Sequence, residues 1–263
     1  MAERFETMVR SSLASGQAKD RAFQLDQQLY PPLLLIEHAR ITGDDALLRR
    51  HRADAERVLD ALLARADGGL VATAETPADD PLAEPFHFSS HLLLWHTLRA
   101  YGRDAEPLRA RIRERFMRDG RFAYAVGPGG ARHYHDANDV PTALAPAWGF
   151  CGADDPAWLA TIAHAWSGEN EGLVAGPLGG LGSLHTRHPW PLGDLQRVIV
   201  ARAGHDASAE AAAWGRIARV ETWDGLLPEA YDERDGSVVS RHWFAWPVAL
   251  RAWLVADPSL GAE

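Results

Sequence analysis

The stretch from Gln27 to Gly69, QQLYPPLLLIEHARITGDDALLRRHRADAERVLDALLARADGG, decides the fold class. Its apolar residues recur at helical spacing: Leu29, Leu33 and Ile36 four and three apart, then the adjacent pairs Leu47–Leu48, Val58–Leu59 and Leu62–Leu63, the last two pairs four apart. That is the period of a helix buried along one side, not of a strand. The spacing predicts a helix over Gln27–Thr42, with Pro31 and Pro32 near its start, where proline is tolerated. Gly43 ends it. A second helix is predicted over Asp45–Ala66, stopped by Gly68 and Gly69.

Outward from this hairpin the pattern repeats. Helices are predicted at Glu3–Leu13, Ser89–Ala100 (with Ser89 or Ser90 as N-cap), Ala105–Phe116, Pro141–Trp148, Pro156–Trp166, Pro191–Ala203, Ser208–Val220 and Trp243–Val255. Leu70–Ala74, Arg121–Val126 and an extended piece at Arg132–His135 are the only strand candidates. No linker or composition break divides the chain, so one domain over residues 1–263 is expected. Helical hairpins in succession, joined by long polar loops rich in Gly and Pro, predict an all-α fold, an α/α toroid. In such a fold the loops on one face surround a central pocket, and long loops usually carry function.

Composition narrows the partners. A net charge of -9 over 263 residues argues against a phosphate-tracking surface, so no nucleic acid is expected, and anionic membranes are disfavoured. The single Cys151 excludes an internal disulfide. Met1–Ser15 alternates charged and apolar residues and lacks the apolar core of a signal peptide; no run reaches the roughly 18 apolar residues of a membrane span. A cytoplasmic protein is expected. There are ten tryptophans. Trp95, Trp158, Trp166 and Trp214 lie in helical patterns and read as core. Trp148, Trp190, Trp243 and Trp246 lie beside polar motifs, where an indole face can pack on a sugar ring.

Four segments carry chemistry. In FQLDQQ (residues 23–28), Asp26 stands where an N-cap would. In TPADD (76–80), Asp79 and Asp80 are adjacent loop acids, and burial of either raises its proton affinity as a general acid needs. The third is HYHDANDVP (133–141) with GLGSLHTRHPW (180–190). Histidines at 133 and 135, or at 185 and 188, suggest a metal, but no third ligand at ligand spacing accompanies them. Recognition of hydroxyls by His135, Asp136, Asn138 and His185 beside Trp190 is the better use, and no metal or other cofactor is expected. In GLLPEAYD (225–232) followed by SRHWFAW (240–246), Glu229 lies between a proline and an apolar run, with Arg241 and Trp243 close behind.

Taken together, these segments resemble glycoside hydrolase family 125, the metal-independent exo-α-mannosidases with an (α/α)6 fold. FQLDQQLYP is similar to the family's ELDSLCYP, PADDPLAEPFHFSSHLL to its PSDDA segment, and HDANDVPTALAPAWGF to DDANVPSLL. GLGSLHTRHPWPLGDL is similar to GIGSPHTG and WPM, and the stretch from GLLPEAYD to FAWPVAL to GLMHESF and WFAWAN. The resemblance implies an inverting hydrolase acting at terminal α-mannose of an oligosaccharide or glycan. Asp79 or Asp80 would be its general acid and Glu229 its general base, about 6.5–9.5 Å apart across the sugar. Asp26, His135, Asp136, Asn138, His185, Trp190, Arg241 and Trp243 would bind substrate. Departures from the family pattern are Thr76 in place of an Arg, Glu84 and Phe86 in place of Tyr, and His135 in place of an Asp. The family's preceding WLRDS segment has no counterpart in the chain, so an incomplete ring is expected. Weak turnover follows, with self-association in a dimer or a rearranged Glu3–Leu13 helix covering the gap. The alternatives are a non-catalytic sugar-binding or assembly homologue, a glucoamylase-like hydrolase, and a toroid sugar epimerase.

Overall fold

The computed structural model describes residues 6, 7, 10, 22–220, 222 and 224–257. Most of the helix expected at Glu3–Leu13 lies outside them. In chain order the described elements are α1 (Leu25–Thr42), α2 (Ala46–Ala64), β1 (Phe86–His87), α3 (Phe88–Ala100), α4 (Glu106–Phe116), β2 (Met117–Arg118), β3 (Arg121–Phe122), β4 (Ala125–Gly127), β5 (Gly130–Arg132), α5 (Val140–Leu144), α6 (Pro156–Ala165), β6 (Leu173–Val174), β7 (Gly180–Leu181), α7 (Pro191–Ala203), α8 (Ala207–Ile217), β8 (Ala230–Tyr231), β9 (Val238–Ser240) and α9 (Ala245–Ala256). Among the described residues no helix is long and apolar enough to cross a membrane. Two compact units result. The first comprises Met1–Phe116 with Ala125–Ala131, the second Met117–Tyr124 with Arg132–Glu263.

In the first unit, α1 packs on α2 and α3, and α3 on α4. Helix α1 begins at Leu25, earlier than the period predicts, so Asp26 lies in its first turn and not at the cap. Gln24 is the cap residue and makes no side-chain cap bond. Pro31 and Pro32 sit inside the helix, buried, not near its start. Each removes a donor to the carbonyl four residues back. Gly43 closes the helix with φ 69°. On α2 the buried stripe runs through Leu47, His51, Ala55, Leu59 and Leu62. Leu63, one position on and about 100° around the helix, is exposed rather than inward. Helix α3 starts at Phe88, and the His87 side chain, not Ser89 or Ser90, caps it by accepting from Ser90 N. Nearly every face of α3 is buried, Trp95 completely. Leu70–Ala74 forms no strand. Its backbone bonds go to loop carbonyls, Thr73 N to Pro85 O and Ala74 N to Phe23 O.

In the second unit α7 is central, touching α5, α8 and α9. Leu192, Leu195, Val198 and Ile199 meet Ala213, Ile217, Leu227, Ala230, Leu250 and Leu254 in one apolar cluster. Burial of each large side chain there contributes about 1.5–3 kcal/mol. Trp158 is fully buried, while Trp166 and Trp214 pack at the cluster's edge. Helix α5 stops at Leu144, short of Trp148. The strands are two- or three-residue pieces pairing as β1–β4–β5, β2–β3, β6–β7 and β8–β9. Arg121–Val126 is thus split between two ribbons, and of Arg132–His135 only Arg132 lies in a strand.

Candidate active site

In the first unit the Asp79–Asp80 pair sits on a turn closed by Thr76. Thr76 N donates to Asp80 O at 2.9 Å, Asp79 N donates to Thr76 O at 2.9 Å, and Thr76 Oγ1 accepts from Ala78 N and Asp80 N. The turn places Asp79 at φ 64°, the left-handed region that Asp tolerates better than most residues. It also separates the pair: Asp79 is exposed and Asp80 is buried. Buried Gln24 reaches this turn from the start of α1. Its Nε2 donates to Asp79 Oδ1 at 2.8 Å and to Glu75 Oε2 at 2.6 Å, while Gln27 Nε2 donates to its Oε1. Burial pushes the Asp26 carboxyl up to about 6, with the Asp79 charge adding to the rise and His87 opposing it.

In the second unit the segment from Tyr134 to Asp139 is buried. Asp136 Oδ1 accepts from Asn138 N and Nδ2, both at 2.8 Å, and Oδ2 accepts from Tyr134 OH at 2.9 Å. Burial, with the Asp139 charge behind it, raises the Asp136 carboxyl above the usual range, and the Asn138 and Tyr134 donors counter only part of this. His135 Nε2 pairs with Gln196 Oε1 at 2.8 Å, and Gln196 Nε2 donates to the carbonyls of Asp136 and Ala137. These bonds seat His135, Asp136 and Asn138 on α7. His185 is exposed, its ring edge-on to Trp190 at 5.6 Å. Trp190 itself is core, packed against Phe244.

Glu229, only 5% exposed, lies just before β8. Its N–H donates to both Ser240 O (3.2 Å) and Arg241 O (3.1 Å). Ser240 Oγ donates to Glu229 Oε2, and Arg241 Nη1 lies 3.2 Å from Oε1. Arg241 has φ 43° and places its guanidinium 5.3 Å from the Phe244 ring. Phe244 stacks on Trp246, and Trp243 is half exposed. Ala230 pairs with Ser240 and Tyr231 with Val238, so Val239 is the extra residue of a bulge. Two residues beyond Glu229, Tyr231 OH donates to Asp194 Oδ2, and Arg216 Nε donates to Asp194 Oδ1 at 2.9 Å. Burial raises the Asp194 carboxyl despite these partners.

The structure therefore groups the expected residues unit by unit. Asp26 and the Asp79–Asp80 turn share the Gln24 end of the first unit. His135, Asp136 and Asn138 form one knot in the second, His185 lies against Trp190, and Glu229 pairs with Arg241. Gln24, Tyr134, Gln196, Ser240 and the Asp194–Tyr231–Arg216 trio were not singled out from sequence. An acid inside the apolar run PLGDL and a Tyr two places after Glu229 were the available signals for the trio. Among the described residues no three His, Cys, Asp or Glu side chains are grouped to hold a metal ion.

A family model described as metal-independent α-mannosidase (GH125) matches residues 62–255, through both units. The chain belongs to this family. It is a glycoside hydrolase. The solved structure of a Streptococcus pneumoniae metal-independent α-mannosidase, in a non-productive complex with α-1,6-mannobiose, is similar at TM-score 0.81 and 20% identity, covering 96% of this chain and 78% of that one. A GH78 family rhamnosidase of Bacillus sp. GL1 is similar at TM-score 0.58 and 15% identity, over 89% of this chain and 26% of that one. A wild-type glycosidase is similar at TM-score 0.58 and 17% identity, over 98% and 78%. No curated protein matches by sequence. The fold is the mainly helical α/α toroid of the GH125 α-mannosidases.

Proposed function

We propose that this glycoside hydrolase is an exo-acting α-mannosidase that releases terminal α-mannose from an oligosaccharide or glycan with inversion, using no metal. The observation that carries the reading is Glu229, a buried carboxyl in the segment that resembles the family's base motif, with the Ser240 hydroxyl on one oxygen and the Arg241 guanidinium beside the other. Glu229 takes a proton from water as the water oxygen bonds to the anomeric carbon. The glycosidic bond breaks, and Asp79 or Asp80 protonates the departing oxygen. The exposed side chains of His185, Arg241 and Trp243 contact the sugar. Buried His135, Asp136, Asn138 and Trp190 shape the loops of the same unit, and buried Asp26 supports the Asp79–Asp80 turn of the other. The mannobiose complex of the pneumococcal relative supports an α-linked mannose as the first substrate to try.

The test is hydrolysis of an aryl α-mannoside and of α-1,6-mannobiose, with the first anomer released read by NMR. β-Mannose should appear first. Glu229→Gln should lose roughly 10²–10⁴-fold in rate. Of Asp79→Asn and Asp80→Asn, the variant lacking the acid should lose far more on mannobiose than on a dinitrophenyl mannoside, whose leaving group needs no proton. α-Mannose appearing first would overturn inversion. Calorimetric binding of mannobiose without any hydrolysis would replace the enzyme reading with a sugar-binding one.

A further inference from the structure

We infer that Ser240 is a positioning residue for Glu229, fixing its Oε2 so that Oε1 is the oxygen that receives the proton from water. The inference rests on the reading of Glu229 as the base. Three features converge on this pair. The backbone N–H of Glu229 is shared between the carbonyls of Ser240 and Arg241, which ties the residue before β8 to the end of β9. The bulge at Val239 interrupts the ladder between the Tyr231–Val238 and Ala230–Ser240 pairs, and such a bulge re-aims the side chain beside it, here Ser240. The Ser240 hydroxyl has one hydrogen to give, and it goes to Glu229 Oε2.

The other grip differs in kind. Arg241 meets Oε1, but its side chain is 62% exposed. An ion pair so open to water is screened and holds little. Guanidinium has no acceptor site and keeps its proton, so it does not compete with Oε1 for the proton of water. The carboxylate is thus anchored at Oε2 by a short neutral donor on a fixed strand. At Oε1 it faces a long cation that can move off. In the step itself one water O–H bond breaks, its proton goes to Oε1 and its oxygen bonds to the anomeric carbon. Ser240 keeps its hydrogen throughout, which makes its role orientation and not proton transfer.

Ser240→Ala, Ser240→Thr and Glu229→Gln, assayed on an aryl α-mannoside, test this. Ser240→Ala should lower kcat roughly 10–100-fold, the loss for one hydrogen bond to a charged group, with KM within about twofold. Ser240→Thr, which restores the hydroxyl, should recover kcat to within about threefold of the parent. Ser240→Cys, a weak donor of similar size, should fall with the Ala variant and carries the test if Ala does not fold. Unchanged kcat in Ser240→Ala beside an inactive Glu229→Gln would overturn the inference and leave the base assignment standing. So would a raised KM at constant kcat, or a Thr variant no better than Ala. An active Glu229→Gln would instead remove the base reading, and the inference with it.

Discussion

The turn at Thr76–Asp80 and the ribbon at Glu229–Arg241 both present carboxyls, but they hold them by different means. On the turn, Asp79 faces water from a left-handed backbone position, and one buried amide, Gln24, holds it together with Glu75. On the ribbon, Glu229 is buried and fixed through backbone and side chain together, and the strand after it is tied into the core by Tyr231 and Asp194. In the proposed reaction the acid, exposed Asp79 or buried Asp80, must surrender and regain a proton. The base must keep one orientation toward a water molecule, which suits a carboxylate with little freedom.

The comparison breaks most readily at the anchor of the ribbon. Arg216→Met leaves Asp194, 1% exposed, without its cation. Removing one partner of a buried ion pair costs about 3–5 kcal/mol. Burial already raises Asp194, and losing Arg216 raises it further, so the variant can shed part of the cost by protonating. For a carboxyl raised in the folded state, stability is present at low pH and lost as pH rises. The loss should therefore be larger at pH 8 than at pH 5, read as a shift in urea midpoint. A variant as stable as its parent at both pH values would show that the trio does not anchor the ribbon.

How much of this was legible in the chain depends on where each constraint comes from. Helix α7 matches its predicted bounds, Pro191–Ala203, because Pro191, the apolar spacing and Gly204 are all local signals. The ribbon of β8 and β9 was not read as strands, since pieces of two and three residues are too short to show an alternation. Asp26 has the local grammar of a cap, yet the backbone continues into helix on both sides of it, because Leu25 N finds its acceptor in Thr73 Oγ1, far away in sequence. The motif residues Glu229 and Arg241 could be named from their neighbours. Ser240 and Gln24 gain their meaning only from partners across a strand or a loop.

A smaller effect sharpens the other side of the comparison. Burial pushes the Asp26 carboxyl to about 6, against about 3.9 in an unfolded chain. Between those values the folded protein holds a proton that the unfolded chain has released. The stability this represents is complete below about pH 4 and is lost as pH rises through 6, on the order of 2–3 kcal/mol in all. Asp26→Asn cannot ionise, so its stability should depend less on pH across this window. Relative to its parent it should gain on going from pH 5 to pH 8, read from urea midpoints at the two values. Equal pH dependence in parent and variant would mean that Asp26 is not held in so dry a place, and that the turn beside it is more open to water than the ribbon by a wider margin.

The smallest expected effect is none at all, on adding a chelator, and it bears on both regions because each is rich in metal-ligand residue types. The histidine spacings that suggest a metal are occupied otherwise. His133 Nε2 lies 3.3 Å from Asp119 Oδ2, while His135 is buried and its Nε2 goes to Gln196, so the two imidazoles serve different neighbours. His188 Nδ1 pairs with Glu233 Oε2 at 3.0 Å, and the His185 ring meets Ser183 Oγ and the edge of Trp190. A structural zinc site needs four ligands converging within about 2.0–2.3 Å of one point, and a catalytic one needs three. In the acid and base segments Asp79 and Glu75 accept from the Gln24 amide, and Glu229 meets the Ser240 hydroxyl and the Arg241 guanidinium, a cation that repels a metal ion. Excess EDTA should leave both the melting temperature and the rate of aryl α-mannoside hydrolysis unchanged. Loss of rate restored by zinc or calcium would show that a cation, and not the Gln24, Ser240 and Arg241 contacts, holds the carboxyls, and the contrast between turn and ribbon would lose its basis.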